Sequence, residues 1–221
     1  MVLQMFRVKV LGIAASPRKG NTEILIREAL GAAKSVGDVE TEFVSLHGKK
    51  INPCLDCRAC ERNKSLCVQK DDMQKIYPKL IEADGIIIGS PVYMSTVSGQ
   101  LKALMDRTTC LFKSEYDPSF PIKVDFTKKV GGAIAVGYDR YGGVEYTIQT
   151  IINYFLSAHM VVVSGYTPNA YIGGAAWQML VNKLDAVKQD EIGIKAAREV
   201  GERVAKTAKL LKLGLENMKK K

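Results

Sequence analysis

Four of the five cysteines in this chain lie close together and follow the pattern C-x2-C-x2-C-x6-C. They are Cys54, Cys57, Cys60 and Cys67. Three cysteines at successive x2 spacings, with a fourth close behind, are typical of a chain that wraps a four-iron cluster and gives one thiolate to each iron. Zinc sites usually use two C-x2-C pairs a dozen or more residues apart. The spacing therefore favours a [4Fe–4S] cluster, and zinc or no metal remain as alternatives.

The other residues that could act in a reaction offer less. Cys110 stands apart from the cluster of cysteines, and we interpret it as a small core residue. His47 is interpreted as a surface or supporting residue, and His159 as a structural residue among apolar neighbours. Neither a Ser/His/Asp set nor an H-E-x-x-H motif occurs in the sequence. Hydrolysis has no support, and we expect no catalytic amino-acid nucleophile or general base.

A polar loop follows the first predicted strand. Its sequence, Ser-Pro-Arg-Lys-Gly-Asn-Thr, offers the side chains of Ser16, Arg18, Asn21 and Thr22 next to a predicted helix N-terminus. Converging donors, a positive helix end and a guanidinium suit a phosphate monoester. The loop is neither G-x-G-x-x-G nor a Walker A motif, so it does not favour a dinucleotide or a nucleoside triphosphate. The alternative is an ordinary N-cap and turn.

Two further loops follow later strands at the same edge of the predicted sheet. They are residues 90–99, rich in Ser and Thr, and residues 137–143, rich in Gly and Tyr. Residues 91–94 and the pair at 142–143 could meet the polar edge of an isoalloxazine ring, and Tyr93 or Tyr138 could cover its face. Each loop alone could be a simple connection. Three such loops together predict a flavin site beyond the carboxyl ends of the strands.

Apolar strand-like runs alternate with helical periods along the chain, which predicts a doubly wound α/β fold with a parallel sheet. Five strands are expected in the flavodoxin-like order 2-1-3-4-5, with the cysteine-rich segment 47–72 inserted after the second. We expect residues 1–190 to form the flavin domain, and 191–221 to add a helix and basic tail to it. The predicted strands are 8–15, 40–46, 86–89, 130–136 and 161–163. The predicted helices are 23–35, 100–107, 145–157 and 191–213, together with a helix that is capped by Asp71 or Asp72 and ends near residue 82.

The composition is that of an ordinary folded domain. The chain has 221 residues, 47% of them apolar and 25% charged, which excludes disorder as the main state. No apolar run reaches 18 residues, so we expect no membrane span and a cytoplasmic protein. The net charge is +9, and residues 203–221 hold seven cations against one acid. This tail is interpreted as a solvated helix end, with a docking surface for an acidic protein or nucleic acid as the alternative.

These motifs resemble a known family. S-P-R-x-G-N-T, S-P-V-Y-x-S-x-x-G and the compact cysteine pattern are similar to those of the iron–sulfur flavoproteins of archaea and anaerobic bacteria, within the wider NAD(P)H-dependent FMN reductase group. The resemblance covers about residues 7–165. It implies FMN, a [4Fe–4S] cluster on the four cysteines, and a homodimer or homotetramer in which the cluster of one protomer faces the flavin of another.

The resemblance also assigns residues. It places the FMN phosphate on Ser16, Arg18, Asn21 and Thr22, and the ring and ribityl chain on Pro91, Val92, Tyr93, Met94 and Thr96, with Gly142 and Gly143 closing the far side. FMN reductases often carry Glu and Asn beside the second-loop Tyr, where this chain has Val92 and Met94. That departure weakens the case for direct use of a nicotinamide.

The expected function is electron transfer. Single electrons from a ferredoxin-like donor would pass through the cluster to FMN and on to a two-electron acceptor. One alternative is an NAD(P)H-dependent FMN or quinone reductase with structural zinc. The other, less favoured, is a redox-sensing or nucleic-acid-binding module that uses the basic tail.

Overall fold

The computed structural model describes residues 7–139 and 141–218, and in them a parallel sheet in the order β2-β1-β3-β4-β5. This confirms the flavodoxin-like strand order. β1 and β3 pair over Val10–Ala14 and Gly85–Gly89, so their carboxyl ends lie side by side. The strands are β1 (Val8–Ala14), β2 (Val39–Ser45), β3 (Gly85–Pro91), β4 (Val130–Gly137), β5 (Val161–Val163) and β6 (Gly174–Trp177).

The sixth strand, β6, was not expected from the sequence. β5 pairs with the first residues of β4, Val130–Gly132, and β6 pairs with its last residues, Ile134–Gly137. β5 and β6 therefore occupy one position in the sheet, interrupted by residues 164–173. The buried Glu199 holds this detour in place, since its carboxylate accepts from the backbone N–H groups of Tyr166 and Thr167 at 3.1 Å each.

The helices lie close to their predicted positions. Asp71 caps the helical segment after the cysteines as expected, accepting from the Met73 N–H at 3.1 Å. That segment is broken, however, into a 3₁₀ turn at Asp72–Lys75 and a short α-helix. The α-helices are α1 (Asn21–Ser35), α2 (Ala59–Arg62), α3 (Tyr77–Glu82), α4 (Gly99–Arg107), α5 (Thr109–Tyr116), α6 (Val144–Ser157) and α7 (Glu191–Met218).

The helices cover both faces of the sheet. α1 and α7 bury one face, and α3, α4, α5 and α6 bury the other. α1 and α7 approach so closely that a Cβ on Gly201 would lie 1.9 Å from the carbonyl oxygen of Ala29. Only glycine permits this crossing, and the crossing fixes α1 against the sheet.

Most described cations of the basic tail are paired with the body of the domain. Lys209 donates to the carbonyl oxygen of Gly37 at 2.9 Å, and Lys212 reaches the carboxylate of Asp84 at 3.0 Å. Lys219, Lys220 and Lys221 lie outside the described residues. Within the described ranges, no helix combines the length and apolar character needed to cross a membrane.

Lys129, just before β4, is a buried cation. Its side chain is 7% exposed and its ammonium donates to the carbonyl oxygens of Ile81 and Ala83, at 2.7 and 2.5 Å. Burial lowers the Lys129 pKa from 10.5 to about 8, with Lys212 acting in the same direction and Asp84 and Asp125 opposing it. Between these two values the unfolded chain binds a proton that the folded chain does not.

Stability should therefore rise with pH through this window. We expect the free energy of unfolding of the wild type, minus that of Lys129→Met, to increase by up to about 3 kcal/mol between pH 8 and pH 10.5. Anaerobic urea denaturation of both proteins at several pH values measures it, and the subtraction removes the contributions of cysteines and tyrosines. A difference that stays constant across the window would show that Lys129 remains protonated in the fold.

Candidate functional site

The first polar loop forms a small pocket at the start of α1. Gly20 precedes this helix, and no side-chain cap is present there among the described residues. The Ser16 hydroxyl accepts from the backbone N–H of Arg18 at 3.1 Å, which shapes the turn. The predicted phosphate ligands are brought together here: the pocket is lined by Ser16, Arg18, Gly20, Asn21, Thr22, Pro91, Val136, Gln178 and Leu184. An uncapped helix start beside a guanidinium is suited to an anion.

Gln178 and Leu184 come from a segment that sequence reasoning left uninterpreted. The Asn21 side-chain amide donates to Gln178 Oε1 at 2.9 Å and to the Lys183 carbonyl oxygen at 3.1 Å. Its oxygen accepts from the Val187 N–H at 3.1 Å. Asn21 therefore holds the segment after β6 over the pocket, and what it offers an anion is its backbone N–H at the helix start.

The second loop makes a tight hairpin. Tyr93 and Thr96 exchange backbone hydrogen bonds of 2.9 and 3.1 Å, with Met94 and Ser95 at positive φ between them. Met94 is 97% exposed, and Tyr93 is exposed as well. Ser98 fixes the base of the loop, since its hydroxyl donates to the Ala15 carbonyl oxygen at 2.7 Å and accepts from the Leu101 N–H.

The second and third loops lie against each other. Gly143 has a φ of 104°, and a Cβ on it would lie 2.6 Å from the Ser95 Cα, so the contact requires glycine. Tyr138 donates from its hydroxyl to the Leu180 carbonyl oxygen at 2.8 Å. Arg140 lies outside the described residues. The three predicted loops thus meet at one edge of the sheet, and the segment after β6 joins them as an unanticipated fourth component.

The four clustered cysteines line a second pocket, away from these loops. It is bounded by the cysteine segment on one side and by the junction of α4 and α5 on the other. Cys54 and Cys57 are exposed, whereas Cys60 and Cys67 are partly buried. The described residues contain no group of three or more Cys, His, Asp or Glu side chains arranged to hold a metal ion.

The backbone of the cysteine segment turns sharply between the cysteines. Asp56, between the first pair, and Arg58, between the second, have φ values of 44° and 53° in the left-handed region. Non-glycine residues rarely adopt this conformation, which is concentrated at functional sites. Arg62 donates to the Cys57 carbonyl oxygen at 2.9 Å, and Gln74 to that of Cys67 at 2.6 Å. Side chains that follow the cysteines in sequence thus stabilise the backbone of this segment.

The opposite wall carries residues that the cysteine pattern did not indicate. Cys110 is buried, as predicted, but it also lines this pocket. Burial raises the pKa of the Cys110 thiol, opposed by hydrogen bonds from the Tyr77 hydroxyl and the Cys67 N–H. Burial also raises the pKa of Cys60, and Lys113 opposes it. The residues of this wall reach the cysteines only through tertiary packing, so the local sequence held no signal for their place in the pocket.

This pocket is chemically suited to an anionic metal–thiolate group. The four cysteines line this pocket together with Lys113, Arg107 and the first turn of α5, whose helix dipole favours negative charge. Arg107 is buried, and its Nε has no hydrogen-bond partner among the described residues. A buried donor of this kind normally has a partner. The residues present therefore fit the predicted cluster.

Sequence comparison with known proteins shows the family to which this chain belongs. The family model for NADPH-dependent FMN reductase matches residues 8–172. An iron–sulfur flavoprotein of Methanocaldococcus jannaschii is 46% identical over 209 residues, which cover 93% of this chain and all of that protein.

Solved structures agree on the fold. A flavone reductase aligns with a TM-score of 0.65 at 22% identity, covering 91% of this chain and 63% of its own. A flavodoxin, WrbA-like protein of Agrobacterium tumefaciens aligns with a TM-score of 0.57 at 18% identity, covering 92% and 98%. The sequence matches confirm the resemblance seen in the motifs: this chain is an oxidoreductase of the NADPH-dependent FMN reductase family and belongs to its iron–sulfur flavoproteins.

Proposed function

We propose that this chain takes single electrons from a ferredoxin-like donor through a [4Fe–4S] cluster and delivers them to FMN, for use by a two-electron acceptor. The cluster ligands would be Cys54, Cys57, Cys60 and Cys67. The observation that carries the proposal is the presence, in one chain, of a pocket lined by four cysteines and a separate polar pocket at the start of α1. When bound, a four-iron cluster exchanges electrons singly and FMN exchanges one or two.

The chain's own residues bind and position. Ser16, Arg18 and Thr22, with the first N–H groups of α1, would hold the FMN phosphate. The second and third loops would hold the ring and ribityl chain through Pro91, Val92, Tyr93, Met94, Thr96, Tyr138, Gly142 and Gly143. The contact between Gly143 and Ser95 supports this, since it sets the position of one loop from the other.

The surroundings of the cysteines support an acidic donor. Residues 49–70 hold six cations and two acids, and two of the four cysteines are exposed at the mouth of the pocket. A positive rim attracts a negatively charged protein. Leu55, 69% exposed, and the exposed Val68 lie on the same rim and offer apolar contact.

The place of α4 supports a homodimer or homotetramer. The second flavin loop ends where α4 begins, at Ser98, and the cysteine pocket lies where α4 ends, at Arg107. Nine residues of helix separate the two sites by about 13 Å along the axis. Because Cys54 and Cys57 of this pocket are exposed, a second copy could bring its flavin to them. Sedimentation of the anaerobic protein tests the assembly.

The test of the function is the composition of anaerobically purified protein. We expect about four irons, about four sulfides and one FMN per chain. An acidic ferredoxin should then reduce the protein faster than NADPH does, with a rate that falls as salt is added. One zinc without sulfide, together with fast reduction by NADPH, would instead establish the alternative nicotinamide-dependent FMN or quinone reductase.

Arg18 allows a sharp test of the phosphate site. Since hydrogen bonds to charged groups contribute about 1.5–3 kcal/mol, Arg18→Ala should weaken FMN binding about 10- to 100-fold. Riboflavin, which has no phosphate, should bind wild type and variant alike. Lys19→Ala is the matched control, because Lys19 is exposed beside Arg18 and does not line this pocket. Equal losses for both flavins would show that Arg18 does not meet the phosphate.

A further inference from the structure

Arg107, the last residue of α4, is a buried cation held on one side by an ion pair. Its side chain has no exposed surface, and neither does that of Asp71. Its Nη1 donates to Asp71 Oδ2 at 2.6 Å and to the Asn52 carbonyl oxygen at 2.9 Å. Its Nη2 donates to Asp71 Oδ1 at 3.1 Å. Three bonds therefore fix the plane and the rotation of the guanidinium.

One nitrogen of this group has no hydrogen bond at all in the described part of the chain. Nε is buried and has no hydrogen-bond partner among residues 7–139 and 141–218. A buried N–H of a charged group without an acceptor has lost its water and gained no hydrogen bond in exchange, which is destabilising. Yet Arg107 lines the pocket that the four cysteines line. The acceptors that a metal–thiolate cluster adds to this pocket are sulfur atoms.

The other cations of the pocket are more exposed to solvent than Arg107. Lys113 bonds to Glu61 at 2.9 Å, and Arg58 is exposed. Exposed charges are screened by water and salt, whereas a buried charge acts through a medium of lower polarity. Arg107 is ion-paired as well, with Asp71, but it is buried and keeps an Nε–H without a partner in the described structure, so its expected effect on the cluster acts through that donor.

We propose that Arg107 donates a hydrogen bond from Nε to a sulfur atom of the cluster and thereby raises its reduction potential. The inference rests on the proposed cluster. Reduction adds a negative charge to the cluster, and a buried N–H donor stabilises the more negative state. Asp71 would be the positioning residue that orients this donor.

The direct test is pulsed EPR on the reduced wild-type protein, prepared anaerobically with ¹⁵N-labelled arginine. We expect a weak hyperfine coupling to an arginine nitrogen. Asp71→Asn should keep this coupling, because Arg107 and its Nε–H remain. Asp71→Asn combined with Arg107→Met should lose it. The combined change avoids leaving Asp71 as an unpaired buried charge.

The second readout is the midpoint potential of the cluster. Relative to Asp71→Asn alone, the double variant should be about tenfold harder to reduce at a given potential, which corresponds to a shift of about 59 mV to more negative values. If the double variant fails to assemble a cluster, Arg107→Lys replaces it, since lysine keeps a cation but has no Nε–H.

The outcomes are separable. No arginine coupling in the wild type, a coupling that persists unchanged in the double variant, or equal potentials in single and double variants would overturn the role of Arg107 and leave it as a structural ion pair. Wild-type protein without iron and sulfide would overturn the proposed function itself.

Discussion

Cys60→Ala is expected to abolish cluster assembly while leaving a folded protein that still binds FMN. A cubane needs a ligand on each iron, so iron and sulfide should fall from about four of each to less than one per chain. FMN should remain, because the flavin loops lie at the opposite end of α4 from Cys60. Iron, acid-labile sulfide and flavin are quantified after anaerobic purification, and the cluster absorbance is recorded.

Cys110→Ala is the matched control for this prediction. Cys110 lies in the same pocket and is the fifth cysteine, but it is buried outside the C-x2-C-x2-C-x6-C pattern. We expect it to keep its iron and sulfide and to lose only about 1 kcal/mol of stability from the missing sulfur. Loss of iron as complete as in Cys60→Ala would mean that the ligand set is wrong.

Among the glycines of α7, Gly201 is the one at which substitution by alanine is expected to destabilise the protein most. The new Cβ would lie 1.9 Å from the Ala29 carbonyl oxygen and 2.6 Å from its carbon. These are backbone atoms that cannot rotate away, so α7 must move off α1. The free energy of unfolding should fall by about 3 kcal/mol. Anaerobic urea denaturation, followed by circular dichroism, measures this.

Gly214→Ala provides the opposite result in the same helix. A Cβ on Gly214 meets no atom within 4 Å in the described structure. Alanine is the better helix former by about 1 kcal/mol, so this variant should be slightly more stable than the wild type. If both variants behave alike, helix propensity and not the approach of α1 governs the position of Gly201.

The sequence identified the parts of the fold whose signals are local. The apolar runs at 86–89 and 130–136 lie within β3 and β4, because a strand buried on both faces is apolar throughout. The cap at Asp71 was also predictable, since a carboxylate before a helical segment accepts its free N–H groups. The family followed from the motifs for the same reason, since each is a short run of fixed spacing.

What the sequence did not reveal depends on contacts between distant segments. β6 is four residues long, and three of them are the small residues glycine and alanine. Its pairing is decided by the space that β5 leaves along β4. Gln178 reaches the first loop only because Asn21, 157 residues earlier, binds it. Arg107 is the last residue of a predicted helix, and only the packed structure shows it buried beside the cysteines.

The divided strand position at the sheet margin has a consequence for the behaviour of the protein at high concentration. Exposed margins of β-structure can recruit further chains and start fibrils. Here the margin offers one run of three residues and another of four, separated by ten residues tied down by Glu199. Neither run is long enough to template an added chain, so the interruption protects this margin of the sheet against backbone pairing with another molecule, whereas the opposite margin is the uninterrupted seven-residue β2.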